Sequence, residues 1–198
     1  IAELELYKTS ASQYNPDIVI LTYIISDPMR PGVAIEKLLS DSDTNNKKSF
    51  RDITISMLTL SLDKLSSFSH LFRWINHLYK KIITGFISEG LYHSIYENKT
   101  IWEPTATAIT GFAKETQKNH HKLIVVAFPL LLDFKNYPYS KEHQKAVDAF
   151  EQHGVPVLDM LPLLANETPE KFRLNADDQT HPNEYGHQYI ADAIIQIG

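Results

Sequence analysis

Two long apolar runs constrain the fold of this chain more than any other feature. Residues 18–25 (IVILTYII) and 122–132 (KLIVVAFPLLL) are nearly free of charge, and the turn sequences NPD and SDP flank the first run. Continuous β-branched runs of this length are typical of strands buried on both faces, as in a parallel sheet. A shorter run at 155–161 (VPVLDML) is a third candidate. The sequence therefore predicts a parallel sheet with at least three strands.

Between these runs lie segments with apolar residues at helical spacing, at 1–14, 101–119, 140–153 and 185–197. Strands that alternate with helices indicate parallel pairing through right-handed crossovers. The chain has 198 residues, of which 43% are hydrophobic, which is enough for one globular domain with its own core. We expect an α/β fold. In the segment 1–14 the predicted inward side chains are Ala2, Leu4, Leu6 and Tyr7. In the segment 140–153 they are Ala146, Val147, Ala149 and Phe150.

A stripe of large apolar residues at helical spacing runs through residues 50–88. Its members are Leu62, Leu65, Phe68, Phe72, Ile75, Tyr79, Ile82 and Phe86. Such a stripe is usually a buried helix face, so we predict a helical insertion at about 50–100 that packs on its own domain. A helix that lies on a membrane surface or binds a partner is the alternative, because basic residues lie off the stripe.

Composition removes several classes of function. The chain has no cysteine, which excludes disulfides, thiolate metal sites and a cysteine nucleophile. The net charge is −5 and there is no basic block, so we expect no nucleic-acid partner. His and carboxylate residues do not recur at metal-ligand spacing, since His187 lies six residues after His181, and we expect no metal.

The strongest local pattern is the polar segment 177–187 (DDQTHPNEYGH), directly before the last helix. An Asp three residues before a His can accept the imidazole Nδ1–H, which leaves Nε2 as a general base. Asp178 and His181 are therefore candidate catalytic residues. The alternative is an exposed helix cap, in which Thr180 or Asp178 caps the helix and His181 has no role.

This segment resembles the C-terminal block of the SGNH (GDSL-like) serine esterase and lipase superfamily, where Asp-x-x-His-Pro-Asn is followed by Gly-His and a helix. Further stretches look like a bacterial branch of that superfamily in the same order, at 15–21, 94–102, 123–129, 136–138 and 154–162. The resemblance implies a three-layer αβα, flavodoxin-like sheet. It also implies a Ser-His-Asp ester hydrolase that needs no cofactor, works outside the cytoplasm and removes small acyl groups, such as acetyl from a carbohydrate. Transfer of the acyl group to a second hydroxyl is a variant of the same chemistry.

The chain departs from the family pattern in three places. It has neither the Gly-Asp-Ser motif of the nucleophile nor the Gly block that supplies an oxyanion amide. The family carries both before the strand at 18–25, so we expect an upstream segment that supplies the serine and the first strands. That segment would cover the apolar edge of this strand, which proteins rarely leave open.

The third departure is Ser26, which stands where the family has Asn and is followed by Asp27. We predict that Ser26 lies near the site as an oxyanion donor; a relocated nucleophile is the alternative. Asp27 is expected to stabilise a turn. These departures leave a second function open, namely a catalytically impaired SGNH-like module that binds glycan or a partner.

Other residues give weaker signals. His120 and His121 are interpreted as a polar turn, and His143 and His153 as solvated residues near helix ends. Phe134 and Tyr137 either line an acyl or sugar pocket or pack within their loop.

Overall fold

The structure is a computed structural model that describes residues 2–28 and 92–197. The apolar stripe at 50–88, and with it most of the helical insertion predicted at about 50–100, lies outside the described residues. Within those residues, 2–28 and 95–197 belong to one compact unit.

Three parallel strands form the sheet of this unit, in the order β1-β2-β3. They are β1 (Ile18–Ile24), β2 (Lys122–Phe128) and β3 (Val157–Asp159). Ile18 pairs with Lys122 and Ile24 with Phe128, so β1 and β2 end side by side. The predicted parallel α/β class is confirmed at this level.

Helices and turns connect the strands, and most lie where the sequence predicts them. Their bounds are α1 (Ala2–Thr9), a 3-10 turn (Ala11–Tyr14), a helical segment at 92–97, α2 (Lys99–Lys118), α3 (Ser140–Glu151), α4 (Met160–Leu164), a second 3-10 turn (Pro169–Lys171) and α5 (Glu184–Ile197). Helix α2 begins two residues earlier than expected, because the Asn98 side chain accepts the Thr100 N–H at 2.9 Å and caps it. Pro104 consequently lies in the second turn of α2. After α3, Gly154 has φ = 71° and ends the turn that follows the helix, where its N–H donates to the Glu151 carbonyl at 2.9 Å.

Strand β1 is less buried than its sequence indicates. Ile18 and Ile20 are 48% and 49% exposed, and among the described strands β1 pairs only with β2. The prediction that this strand is buried on both faces is therefore wrong for the described residues. An apolar run predicts a strand, but burial depends on which neighbours cover it.

Helices pack on both faces of the sheet. On one face, the Tyr23 ring of β1 meets the Phe150 ring of α3 edge-on, with centroids 5.5 Å apart. On the other face, Ile24 packs against a buried cluster from β2, β3, α4 and α5 that includes Phe128, Met160 and Phe172. Successive strand residues point to opposite faces, which explains why Tyr23 and Ile24 separate in this way.

Two further details correct the sequence predictions. In α1 only Leu4 and Tyr7 are buried, whereas Ala2 and Leu6 are exposed, because a short helix turns one narrow face inward. The run at 155–161 yields a strand of three residues, because Asp159 accepts the Leu161 N–H at 2.9 Å and starts α4 there.

Candidate functional site

Asp178 and His181 lie in a folded-back loop, residues 172–183, which we call the His181 loop. Its two arms pair in antiparallel fashion around a bridge between Arg173 and Pro182. The Leu174 N–H donates to the His181 carbonyl at 3.1 Å, and the Asn183 N–H donates to the Phe172 carbonyl at 2.6 Å. Backbone pairing thus fixes the position of His181 in the loop.

The His181 loop is attached to the chain that leaves β2. The Leu131 N–H donates to the Gln179 carbonyl at 2.7 Å. In the opposite direction, the Arg173 guanidinium donates to the Leu131 carbonyl through Nε at 3.0 Å and through Nη2 at 2.7 Å. Both sides of the loop are therefore fixed beyond the carboxyl end of the sheet, where α/β proteins build their sites.

The imidazole of His181 is oriented by a carboxylate. Its Nδ1 lies 3.0 Å from Oδ2 and 3.1 Å from Oδ1 of Asp178. A carboxylate only accepts hydrogen bonds, so Nδ1 carries the proton and Nε2 of the neutral ring has a free lone pair. Nε2 makes no hydrogen bond within residues 2–28 and 92–197.

The two side chains differ in exposure. The His181 side chain is 72% exposed, whereas that of Asp178 is 17% exposed. Oδ1 of Asp178 accepts the backbone N–H groups of His181 and Thr180, both at 2.9 Å. These two bonds, led by that from His181, lower the pKa of the Asp178 carboxyl below its usual range, with a smaller contribution from the imidazole itself. Asp178 is thus an ionised, fixed acceptor beneath an accessible base.

The helix that follows is capped by a different residue. Oδ1 of Asn183 accepts the Gly186 N–H at 2.9 Å, and Nδ2 of Asn183 donates to the carbonyls of Lys171 and Arg173. The alternative in which Thr180 or Asp178 caps α5 is therefore wrong. The Asp178 side chain caps only its own loop, which leaves it bonded to His181.

Gly186 lets α5 approach the His181 loop. A Cβ at this position would lie 2.7 Å from Cβ of Pro182 and 3.4 Å from the Phe172 carbonyl oxygen. Pro182 directly follows His181, so close packing of α5 holds the backbone of the base.

Ser26 and Asp27 lie in the turn after β1, beyond the carboxyl end of the strand. The His181 loop is attached beyond the carboxyl end of β2, which ends beside β1. The Ser26 hydroxyl forms no hydrogen bond in the part of the chain that the structure describes. Oδ2 of Asp27 accepts the Ile24 N–H at 2.7 Å, and its own N–H donates to the Ile24 carbonyl at 2.9 Å. Asp27 therefore stabilises the turn, as expected.

The Asp27 carboxyl has an unusual environment. Burial of the carboxyl group raises its pKa to about 6, and the charge of Glu3 adds to this, although the residue as a whole is exposed. Burial also raises the pKa of the neighbouring Tyr23 and Tyr96 phenols, whose hydroxyls share a hydrogen bond at 2.9 Å.

Several residues differ from their sequence interpretation. His121 is buried and shares a 2.8 Å hydrogen bond with the Tyr7 hydroxyl, and His143 is buried with Nε2 2.7 Å from Oδ1 of Asp159. Neither is the polar or solvated residue that we predicted, because both find partners far along the chain. His153 is exposed, as expected.

Phe134 and Tyr137 are buried side chains of their loop. The Tyr137 hydroxyl accepts the Leu130 N–H at 2.8 Å, and the Phe134 ring meets the Phe172 ring edge-on. Their role is therefore to hold the chain after β2, which in turn holds the His181 loop. The sequence analysis did not identify Arg173 as a residue that holds the His181 loop, because its partner is a backbone carbonyl.

Metal ligands and membrane spans were also sought among the described residues. There, no group of three or more His, Cys, Asp and Glu side chains could hold a metal ion. In the same ranges, no helix combines the length and apolar character needed to cross a bilayer.

Comparison with known proteins adds no relative. No family model matches the chain, and neither a curated protein nor a solved structure matches it. Function is therefore inferred from the geometry of the site and from the motif at Asp178 and His181.

Proposed function

We propose that this chain is a serine ester hydrolase of the SGNH (GDSL-like) type, with Asp178 and His181 as two members of a Ser-His-Asp triad. The observation that carries the proposal is the bond from Nδ1 of His181 to both oxygens of Asp178, which leaves Nε2 accessible. A loop with a purely structural role does not need an exposed imidazole whose tautomer is set by a carboxylate.

The proposal includes the finer fold. The order β1-β2-β3 is compatible with three adjacent strands of a flavodoxin-like sheet. Helices on both faces support a three-layer αβα arrangement. In such sheets the site lies beyond the carboxyl ends of the strands, which is where the His181 loop is attached.

The reaction follows from the tautomer of His181. A serine Oγ attacks the ester carbonyl carbon while its proton passes to Nε2, and Asp178 stabilises the imidazolium that forms. The imidazolium then gives this proton to the alcohol oxygen as the bond from carbon to that oxygen breaks. Water, activated by the same Nε2, releases the acid from the acyl-serine. The resemblance points to small acyl groups, such as acetyl on a carbohydrate; a second hydroxyl in place of water would make the reaction an acyl transfer.

The nucleophile and the oxyanion site complete the proposal. We assign the nucleophile to a Gly-Asp-Ser block, because the resemblance implies such a block before the first strand. Ser26 is assigned as a donor to the oxyanion.

A second candidate is a catalytically impaired module of the same fold that binds glycan or a partner. Ser26 favours it, because a hydroxyl offers one donor hydrogen where the family's Asn offers two. Loss of one good oxyanion donor costs about 10² to 10³ in kcat.

A fluorophosphonate probe separates the two candidates, since it labels only an activated serine. We would treat the full-length protein with the probe and measure its intact mass, for the natural sequence, His181→Ala and the control His153→Ala, which removes another exposed imidazole. One adduct that is lost in His181→Ala and kept in His153→Ala supports the hydrolase. No adduct on the natural protein, with no ester turnover, would favour the binding module.

A further inference from the structure

The His181 loop carries a large apolar side chain that is exposed to solvent. Leu174 is 63% exposed, although it belongs to the same short loop as His181. Its N–H donates to the His181 carbonyl, so the two residues are held together through the backbone.

Their side chains leave the same face of the loop. The bridge between Arg173 and Pro182 places Leu174 directly opposite His181 in the antiparallel pairing. Directly opposite residues have Cβ atoms about 4.5–5.5 Å apart on one face of the pair. Leu174 and His181 therefore occupy neighbouring positions on one face of the loop.

The opposite face of the loop is directed inward. The Arg173 side chain reaches the Leu131 carbonyl, and Pro182 packs against Gly186 of α5. Because neighbouring residues alternate between faces, Leu174 and His181 lie on the other face, where both side chains are largely exposed. Packing within the loop does not require an apolar residue at 174.

The chemistry of the base indicates which part of a substrate lies here. In ester hydrolysis the imidazolium protonates the oxygen of the departing alcohol. The alcohol must therefore lie on the imidazole side of the reacting carbon, whereas the acyl group lies away from it. A side chain at a neighbouring position on the same face of the loop can contact the alcohol group.

We propose that Leu174 is a substrate-contact residue for the alcohol part of the ester, and that the natural alcohol presents an apolar surface next to the ester oxygen. An alkyl group or the C–H face of a ring has this chemistry. The inference rests on the proposed function and adds to it the side of the substrate that the His181 loop selects.

The test varies the two halves of the ester separately in the full-length protein. We would measure kcat/KM for methyl acetate, butyl acetate and methyl butyrate, with the natural protein, Leu174→Ala and Leu174→Met. Leu174→Ala is expected to lower the ratio of butyl to methyl acetate by about three- to tenfold, mainly through KM, since a few methylene contacts are lost. The ratio of butyrate to acetate should stay unchanged, and Leu174→Met should retain the natural preference.

Leu6 provides a matched control, because it is 62% exposed and lies on α1. Leu6→Ala is expected to change neither ratio. Turnover with an unchanged alcohol preference in Leu174→Ala would overturn this inference and leave the hydrolase proposal intact. The absence of any turnover in the natural protein, together with no fluorophosphonate adduct, would overturn both.

Discussion

The Leu131 N–H donates a 2.7 Å hydrogen bond to the carbonyl of Gln179, and this bond joins the end of the central strand to the loop that carries Asp178 and His181. Arg173 adds two bonds from the His181 loop to the Leu131 carbonyl. The proposed base, His181, and its acceptor, Asp178, are thus positioned by the sheet, although both lie in a segment with no regular helix or strand.

Asp178→Asn separates the structural role of this residue from its charge. An amide oxygen can still accept the N–H groups of Thr180 and His181, but it cannot stabilise an imidazolium. We expect kcat for ester hydrolysis to fall by about 10⁴ while the thermal unfolding temperature changes little.

Asp178→Ala is the matched variant, because it removes the acceptor as well as the charge. It should lower the activity and also the stability. The free energy of unfolding is expected to fall by about 1–3 kcal/mol. Natural kcat in Asp178→Asn would contradict the role of Asp178 in a triad.

Asn183→Ala removes the cap of α5 and the two bonds that Nδ2 of Asn183 donates to the carbonyls of Lys171 and Arg173. We expect the free energy of unfolding to fall by about 1–2 kcal/mol, as measured by urea denaturation. Asn183→Asp keeps the acceptor for the Gly186 N–H but places a charged oxygen toward the carbonyls of Lys171 and Arg173. If the cap alone matters, Asn183→Asp will be as stable as the natural protein; if the donor bonds matter, it will also be destabilised.

Gly186→Ala tests the close approach of α5 to Pro182. The new Cβ would meet a proline ring and a backbone carbonyl, so we expect a loss of about 1–3 kcal/mol despite the better helix propensity of Ala. Gly111→Ala is the control, since its Cβ would meet only the end of the Leu4 side chain at 2.8 Å, which can move. Equal effects of the two substitutions in thermal unfolding would show that packing against Pro182 is not tight.

Asp27 predicts a pH dependence of stability. Its pKa is raised to about 6 in the fold from a usual 3.8, so the unfolded chain loses this proton at lower pH than the folded chain does. The free energy of unfolding should therefore fall as the pH rises from about 4 to 6, and then level off.

Asp27→Asn keeps an acceptor for the Ile24 N–H and should remove this slope. Asp133 has the opposite effect. Hydrogen bonds from the Asn136 side chain and from backbone amides lower the pKa of its carboxyl. Its contribution to the free energy of unfolding is therefore lost as the pH falls below the usual pKa of an aspartate. A slope between pH 4 and 6 that persists in Asp27→Asn, measured by urea denaturation at each pH, would assign it to another group.

The sequence predicts features that depend on neighbouring residues more reliably than features that depend on distant ones. Strand β2 depends on one run of apolar residues, and the hydrogen bond between Asp178 and His181 joins residues three positions apart. The structure contains both as expected. The burial of His143 depends on Asp159, and the exposure of Ile18 depends on the neighbours of β1. No periodicity in a sequence encodes such partners, so these predictions failed.

The anchoring of the His181 loop was equally hidden from sequence analysis. Arg173 and Gln179 both form hydrogen bonds with the backbone of Leu131. Every residue type has a backbone carbonyl, and nearly every one has an N–H, so the residue type at position 131 does not reveal these bonds. Phe134 and Tyr137 were correctly placed in a loop, but their burial follows from contacts with Leu130 and Phe172.

Tyr96 has a consequence for how this chain can change over evolution. Its hydroxyl donates to the Ile25 carbonyl at 3.2 Å and shares a hydrogen bond with the Tyr23 hydroxyl, although it lies 71 residues beyond Ile25. The two described parts of the chain, 2–28 and 92–197, therefore meet close to the points where each borders residues 29–91. The entropy of closing a loop rises only with the logarithm of its length, by about 0.6 kcal/mol for each doubling. This tyrosine contact thus makes the position a tolerant insertion point, where a segment can be lengthened, shortened or exchanged while the sheet and the His181 loop are inherited unchanged.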